Sequence, residues 1–208
     1  MSEGQSRETR DLVLKVAVEL LWRHDETELR IIDVCHDSGL SSSVIYSYFG
    51  SRQGLVDTAY LHIYRHVTTE FITTMHEAVA SHDASLINQY LEEQSADPAR
   101  REYWRACRHM RLRVATAALA RPGLRQEFAK LQDAYFVALT GVFEGLQQKR
   151  IVGNLFDAHQ LALLFEGLLL YRSFNDIALN PDEHNHWMGM LSSLLSAVAP
   201  RASETSPV

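Results

Sequence analysis

Hydroxyl side chains are concentrated between residues 41 and 52. Serine or tyrosine fills seven of these twelve positions, and Arg52 is the only charged residue between positions 38 and 56. Hydroxyls and guanidinium groups bind phosphate oxygens and the edges of bases. The whole chain carries a formal net charge of −6, so this acid-free segment stands apart from the rest. Its composition is compatible with the approach of a polyanion.

The ten histidines do not form a recognisable metal site. His62 and His66 are spaced i, i+4, and His184 and His186 flank one asparagine, but the two pairs belong to different predicted helices. A zinc site needs three or four convergent ligands. We therefore predict no metal and no cofactor, and interpret these histidines as ordinary surface residues.

Two cysteines, Cys35 and Cys107, are too far apart in sequence to suggest a metal-binding pair. The chain also lacks a phosphate-binding glycine loop, a G-x-S-x-G sequence and a base at fixed spacing from Cys107. These absences disfavour a helical enzyme, which stays an alternative. A second alternative is a redox sensor that uses Cys107 as its trigger.

Helical periodicity runs between the few prolines and glycines. No apolar run is long enough to span a bilayer, and the polar first ten residues do not resemble a secretory signal, so we expect a cytoplasmic protein without a membrane partner. We predict an all-α protein of about nine helices and no strand, at about 6–24, 31–38, 42–49, 52–80, 86–94, 98–120, 124–150, 158–177 and 182–198.

The second and third predicted helices have the spacing of a helix-turn-helix, in which the second helix enters the major groove. Gly39 ends the first of them in the left-handed conformation, and Ser41 or Ser42 can cap the next. On that helix Ile45 and Phe49 are predicted to face inward. The residues expected to face outward are Ser42, Ser43, Tyr46 and Ser47, with Val44 at the margin.

Gly39-Leu40-Ser41, followed by Ile45-Tyr46-Ser47-Tyr48-Phe49-Gly50-Ser51-Arg52 and Leu55, resembles the DNA-binding signature of the TetR family. The resemblance implies a homodimeric repressor that leaves a palindromic operator when a small molecule binds. An activator or a DNA-packaging dimer stays open. The resemblance assigns phosphate contacts to Tyr46, Tyr48 and Arg52, and base or groove contacts to Ser42, Ser43, Val44 and Ser47; Ser41 completes the predicted DNA-binding set.

Five positions depart from that family pattern. Asp25 replaces the glycine that often ends the first helix, and it tolerates the left-handed conformation less well. Leu29 and Arg30 occupy the place of a threonine pair that commonly caps the second helix, at a cost of about 1 kcal/mol. Cys35 replaces an alanine, and Ser43 replaces a glycine, proline or alanine. We expect weaker local structure between the first two helices.

The rest of the chain resembles the family only in length and helical character. We predict a DNA-binding domain at 1–54, an effector-binding and dimerisation domain at 55–200, and a disordered tail at 201–208. Arginines crowd residues 100–113, which suggests either an anionic effector or, as we favour, a solvated face. The predicted ligand pocket consists of Trp104, Cys107, Arg108, Met110, Phe128, Tyr135 and Phe165.

The last two predicted helices are apolar over more than one face, which favours burial on both sides. Two such helices from each subunit can form a four-helix bundle in a two-fold dimer. The predicted interface residues are Leu161, Leu164 and Leu168, together with Trp187, Met190, Leu191, Leu194 and Val198.

Overall fold

The computed structural model describes residues 3–81 and 98–178. Over these ranges all regular secondary structure is α-helical, with seven α-helices and no strand. The helices are α1 (Glu3–Arg23), α2 (Ile31–Ser38), α3 (Ser42–Phe49), α4 (Arg52–Ser81), α5 (Pro98–Ala120), α6 (Pro122–Gln148) and α7 (Ala158–Ala178). The helices predicted at 86–94 and 182–198, and the tail, lie outside the described residues. The all-α prediction is confirmed.

Glycines end the two short helices. Gly39 (φ 70°) follows α2 and donates its N–H to the Cys35 carbonyl, and Gly50 (φ 72°) follows α3 and donates to the Tyr46 carbonyl. Positive φ costs glycine almost nothing, which makes it the favoured residue after a helix. Both helix ends were predicted from these glycines, and the prediction is confirmed.

Side chains cap the starts of two longer helices. The Ser51 hydroxyl accepts the Gly54 N–H at 2.9 Å, as expected of a cap before α4. At the start of α7, the Asp157 carboxylate accepts the Gln160 N–H at 2.8 Å. The Gln160 side-chain oxygen accepts the Asp157 N–H at 3.0 Å in return. This reciprocal pair is a capping box, and it confirms Asp157 as the predicted cap.

Contacts divide the chain into two compact units. The described residues of the first fall within Met1–Val67 and Arg113–Leu131, and those of the second within Thr68–Leu112 and Gln132–Val208. The sequence placed a domain boundary at residue 54. The first unit instead includes the start of α4 and the chain around the α5–α6 junction.

The core of the first unit contains the apolar stripe predicted for α1. Val13, Ala17 and Leu21 are fully buried, as are Val34 of α2 and Ile45 of α3. Burying a large aliphatic side chain contributes about 1.5–3 kcal/mol. These contacts hold the two short helices, which could not persist alone in water.

The core of the second unit is rich in aromatic rings. Phe71 of α4 stacks on Phe165 of α7 at 5.7 Å between centroids, and Phe143 of α6 meets Phe165 edge-on at 5.8 Å. Leu139 and Val142 are fully buried beside them. No helix of the described ranges is long and apolar enough to cross a membrane.

Candidate nucleic-acid interface

The α3 helix buries one face and exposes the other, as its sequence predicts. Ile45 is completely buried and Phe49 partly so. Val44 and Tyr48 are half-buried. The exposed face carries Ser42, Ser43, Tyr46 and Ser47, and Ser41 just before the helix is also exposed.

Several hydroxyls on this surface already have partners. Ser41 Oγ and Ser43 Oγ lie 2.9 Å apart and share a hydrogen bond, and Ser41 makes no side-chain cap to α3. The Ser47 hydroxyl donates to the Val44 carbonyl at 2.7 Å. The hydroxyl protons are therefore partly committed within the protein, which limits what each serine can offer to a ligand.

The beginning of α1 holds the end of α3. The Ser6 and Tyr48 hydroxyls share a hydrogen bond at 3.0 Å, and the Arg10 guanidinium lies 5.3 Å from the centre of the Phe49 ring. Such a cation–π contact is worth about 0.5–1 kcal/mol at an exposed position. The sequence assigned Tyr48 to phosphate contact, and the structure shows that its hydroxyl also braces α3.

Arg52 binds the loop between α1 and α2. Its Nε donates to the Leu29 carbonyl at 2.7 Å, and Nη2 donates to the Glu26 carbonyl. The sequence assigned Arg52 to phosphate contact alone. The phosphate contact stays a prediction, and the structure adds a second role, because two of the Arg52 donors hold loop carbonyls.

The end of α1 does not use the left-handed conformation that the family pattern suggested for position 25. Among the described residues only Arg150 has a positive φ without being glycine. Asp25 instead accepts the Thr27 N–H and hydroxyl, both at 3.1 Å, and the backbone bond chiefly lowers the pKa of its carboxyl. The prediction of backbone strain at Asp25 is therefore wrong, because an Asx turn formed by Asp25 and Thr27 takes the place of a helix end that needs glycine.

Arg113 completes the end of α1. Its Nη1 donates to the Leu21 carbonyl at 3.1 Å and its Nη2 to the His24 carbonyl at 3.0 Å. The last carbonyls of a helix lack intrahelical partners and carry partial negative charge. A guanidinium from α5 satisfies them here. By contrast, the start of α2 has no side-chain cap at Arg30, as the missing threonine pair predicted.

Arg121, between α5 and α6, joins two acidic side chains of the first unit. Its Nη1 binds Asp57 at 2.8 Å and its Nη2 binds Glu26. Gln53 also donates to Asp57 at 2.9 Å. Burial opposes charge on Arg121, but these two carboxylates outweigh it and raise the pKa of the guanidinium. The α1–α2 loop and the start of α4 are thereby held to one cation.

Gly54 allows α4 to begin close to the end of α3. A Cβ at this position would lie 2.2 Å from the Phe49 carbonyl oxygen, which is backbone and cannot move aside alone. Any larger residue would push the first turn of α4 away from α3. Gly54, Arg113 and Arg121 were all missed from the sequence. The glycine lies in a helical pattern, and the arginines act over long sequence distances.

The residues of the predicted ligand pocket are divided between the two units. Phe128 belongs to the first, where its ring meets Tyr64 edge-on at 4.8 Å between centroids. The other six belong to the second. Trp104, Cys107 and Met110 are buried on α5, as are Tyr135 on α6 and Phe165 on α7, and Arg108 is half-buried.

An ion pair lies beside the aromatic core of the second unit. Arg111 Nη2 binds Glu166 Oε1 at 2.7 Å, and each side chain is 19% exposed. The same guanidinium lies 4.9 Å from the centre of the Tyr135 ring. Earlier in the basic segment, Arg101 and Arg105 are exposed, in agreement with a solvated face for that part.

Cys107 is buried and belongs to a small polar group. Burial chiefly raises the pKa of its thiol to about 11, although a hydrogen bond with Tyr103 opposes the change. Tyr103 donates its hydroxyl to Glu70 at 2.5 Å, and burial followed by this bond raises the pKa of the phenol. A thiol in this setting stays protonated at neutral pH, which disfavours the redox-trigger alternative.

The predicted interface residues on α7 have different surroundings. Leu161 is buried in the core and Leu168 packs against it, so their own subunit accounts for both. Leu164 is exposed. The remaining predicted interface residues lie outside the described ranges. The exposed apolar stripe of α7 comprises Leu163, Leu164, Leu170, Tyr171 and Phe174.

Within residues 3–81 and 98–178, no three His, Cys, Asp or Glu side chains are grouped to hold a metal. His62 and His66 share one side of α4. Burial, followed by the neighbouring His66, lowers the pKa of His62. The lowered pKa favours the neutral imidazole of His62 at neutral pH.

Several solved structures have a similar arrangement of helices. A TetR-family transcriptional regulator from Pectobacterium atrosepticum matches with a TM-score of 0.65 at 18% identity over 100% of both chains. One from Cytophaga hutchinsonii matches with a TM-score of 0.70 at 12% identity, covering 97% of this chain and 100% of its own. A protein from Saccharomonospora viridis, described as a transcriptional regulator and solved in complex with choline, matches at 21% identity with a TM-score of 0.64, covering 91% and 96%.

No family model matches the sequence, and no curated protein matches it by sequence. The structural matches are nevertheless nearly full-length. The chain has the fold of TetR-family transcriptional regulators.

Proposed function

We propose that this chain is a TetR-type transcriptional regulator that binds operator DNA as a homodimer and responds to a small molecule. The exposed, uncharged and hydroxyl-lined face of α3 carries the proposal. It lies on the second helix of a helix-turn-helix, the position that enters the major groove in this motif. The shared fold supports the same function.

The beginning of α3 suits a phosphate group. Because the Ser41 hydroxyl binds Ser43 Oγ, no side chain caps the first N–H groups of the helix. Exposed N–H groups at a helix start attract anions. The acid-free composition from residue 38 to 56 adds no repulsion.

A selection of bound duplexes from a random pool tests DNA binding, followed by fluorescence anisotropy at several salt concentrations. We expect enrichment of a palindrome and a steep fall in affinity with salt. Ser47→Asp should abolish binding, because it places a negative charge on the exposed face of α3. The matched control is Thr73→Asp on the exposed side of α4 in the second unit. Equal binding by both variants, or no enriched sequence, would refute the proposal.

The exposed apolar stripe of α7 is our proposed dimer face. Leu163, Leu170 and Phe174 follow one another at spacings of seven and four residues, so they lie on one side of the helix. A two-fold dimer would place two α3 helices about 34–36 Å apart, one turn of DNA. We expect Leu170→Glu to yield monomers in sedimentation analysis. Val137→Glu, at a still more exposed valine of α6, should leave the dimer intact.

The second unit is the proposed site of effector binding. An anionic effector would have to displace Glu166 from Arg111, and a cation would have to compete with Arg111 for Glu166 or with Tyr103 for Glu70. A cation could in addition contact the faces of the nearby aromatic rings. Choline, bound in the Saccharomonospora viridis structure, is therefore the first compound to test. A metabolite screen for release of the selected duplex, with Glu166→Gln as the comparison, tests the response. Persistent DNA binding with every compound would argue against a ligand-responsive regulator.

The redox alternative has less support. Cys107 is 1% exposed, and its raised pKa keeps it in the less reactive thiol form. Oxidant should therefore not release DNA through this residue. A release by peroxide that disappears in Cys107→Ser would establish the alternative in place of ligand control.

A further inference from the structure

We propose that α3 reads an A·T base pair in each operator half-site through two neighbouring groups. The Val44 side chain contacts the thymine C5 methyl group, and Ser47 Oγ accepts a hydrogen bond from the adenine N6 amino group. The inference rests on the proposed function, since it requires α3 to enter the major groove.

The composition of α3 narrows what it can recognise. Between Ser42 and Phe49 there is no arginine, lysine, asparagine or glutamine. Those side chains make the common two-point contacts to guanine and adenine. Without them, α3 has hydroxyl groups and the methyl groups of Val44 with which to distinguish bases. The two-point contact to guanine is therefore not available on this helix.

The hydrogen bond of Ser47 fixes its role toward DNA. Its hydroxyl donates to the Val44 carbonyl at 2.7 Å, so the exposed oxygen offers only lone pairs. A phosphate offers only acceptors as well, and the two cannot bond while this arrangement holds. The donors in the major groove are the amino groups of adenine and cytosine. The Ser47 oxygen can therefore accept a hydrogen bond from either adenine or cytosine, but from no other base.

The position of Val44 favours adenine over cytosine as the partner of Ser47. It is half-buried on the margin of α3, three residues before Ser47, and side chains at this spacing lie about 5–6 Å apart on one face. In the major groove only thymine presents a methyl group. An A·T pair offers both the amino group and the methyl group, whereas a C·G pair offers only the amino group. Together the two side chains match A·T.

Modified operators test the thymine contact. In the selected operator, each thymine is replaced in turn by deoxyuridine, which lacks only the C5 methyl group. We expect one position in each half-site to lose about three- to fivefold in affinity, the effect of one buried methyl-sized group. The same replacement should have no effect on Val44→Ala, because the contacting side chain is gone.

The adenine contact has a parallel test. Replacing the paired adenine by a purine nucleotide without the amino group should weaken binding of the wild type but not of Ser47→Ala. Thermal melting shows whether each variant is folded. If a variant is not, the measurements of the wild type with the modified operators still test the inference. Full tolerance of deoxyuridine at every position, or equal losses in wild type and Val44→Ala, would overturn this inference while the operator itself is still bound. Failure to select any operator would instead remove the proposed function.

Discussion

Arg113 donates a hydrogen bond to the carbonyl oxygen of Leu21 at 3.1 Å, across 92 residues of sequence. With the second bond to His24, the α5 guanidinium closes the end of α1. The helix that supports α3 is therefore completed by a part of the chain that the sequence assigned to another domain. The first unit depends on residues 113–131 for its own stability, and an isolated fragment ending at residue 54 would lack this cap.

Arg113→Ala should lower the free energy of unfolding by about 1–2 kcal/mol, because two helix-end carbonyls lose a charged donor. Arg113→Lys keeps the charge but cannot donate to both carbonyls in the same geometry. Its free energy of unfolding should therefore lie between those of the wild type and Arg113→Ala. Urea unfolding followed by circular dichroism measures the change. Arg105→Ala on the same helix is the control, since Arg105 pairs only weakly with exposed Glu102 and should change stability little. A similar loss in both variants would contradict the cap.

Gly54→Ala should impair both folding stability and DNA binding. The added Cβ would meet the Phe49 carbonyl oxygen, and relieving that overlap must displace α3 or the start of α4. We expect a loss of about 1–3 kcal/mol, typical of overpacking. Gly123→Ala near the start of α6 is the matched control, because nothing lies within 4 Å of its added carbon. A neutral Gly54→Ala would show that the close approach is dispensable.

Arg121 and Asp57 should show energetic coupling in a double-mutant cycle. Their side chains are 20% and 24% exposed, so water screens the pair only in part. We expect Arg121→Met and Asp57→Asn each to destabilise the protein, with a coupling energy of about 1 kcal/mol. If the ion pair makes no contribution of its own, the losses in unfolding free energy of the two single variants will simply add up in the double variant.

Local signals in the sequence predicted much of the first unit. Gly39 and Gly50 marked helix ends, and the four-residue spacing of Ile45 and Phe49 predicted which side of α3 is buried. These features depend on backbone conformation and periodicity within a few residues. They are therefore visible without a structure.

Contacts over long distances could not be predicted in the same way. No pattern links Arg113 to Leu21, and position 25 suggested strain because the compensating Thr27 turn was not recognised. Leu161 illustrates a second limit. An apolar helix position reads the same whether it packs into its own core or onto a partner, and burial assigns Leu161 to the core.

Cys107 should react slowly with iodoacetamide in the folded protein, and half-exposed Cys35 should react first. Burial raises the pKa of the Cys107 thiol to about 11, so little thiolate forms at pH 8. The folded state holds this proton more tightly than the unfolded state. The contribution of Cys107 to stability is therefore constant below about pH 9 and falls as the pH rises toward about 11. Mass spectrometry locates the labelled cysteine, and Cys107→Ala should lack this alkaline loss.

Arg52→Ala separates a phosphate contact from a role in holding the loop. Loss of a phosphate contact would reduce the slope of log affinity against log salt by about 0.9. The bonds to the Leu29 and Glu26 carbonyls favour a different result, namely a lower melting temperature with an almost unchanged slope. Weaker binding of all duplexes would then follow from a displaced α1–α2 loop, because α2 begins two residues after Leu29. Anisotropy titrations at four salt concentrations distinguish the two. A reduced slope at unchanged melting temperature would establish Arg52 as a phosphate-binding residue.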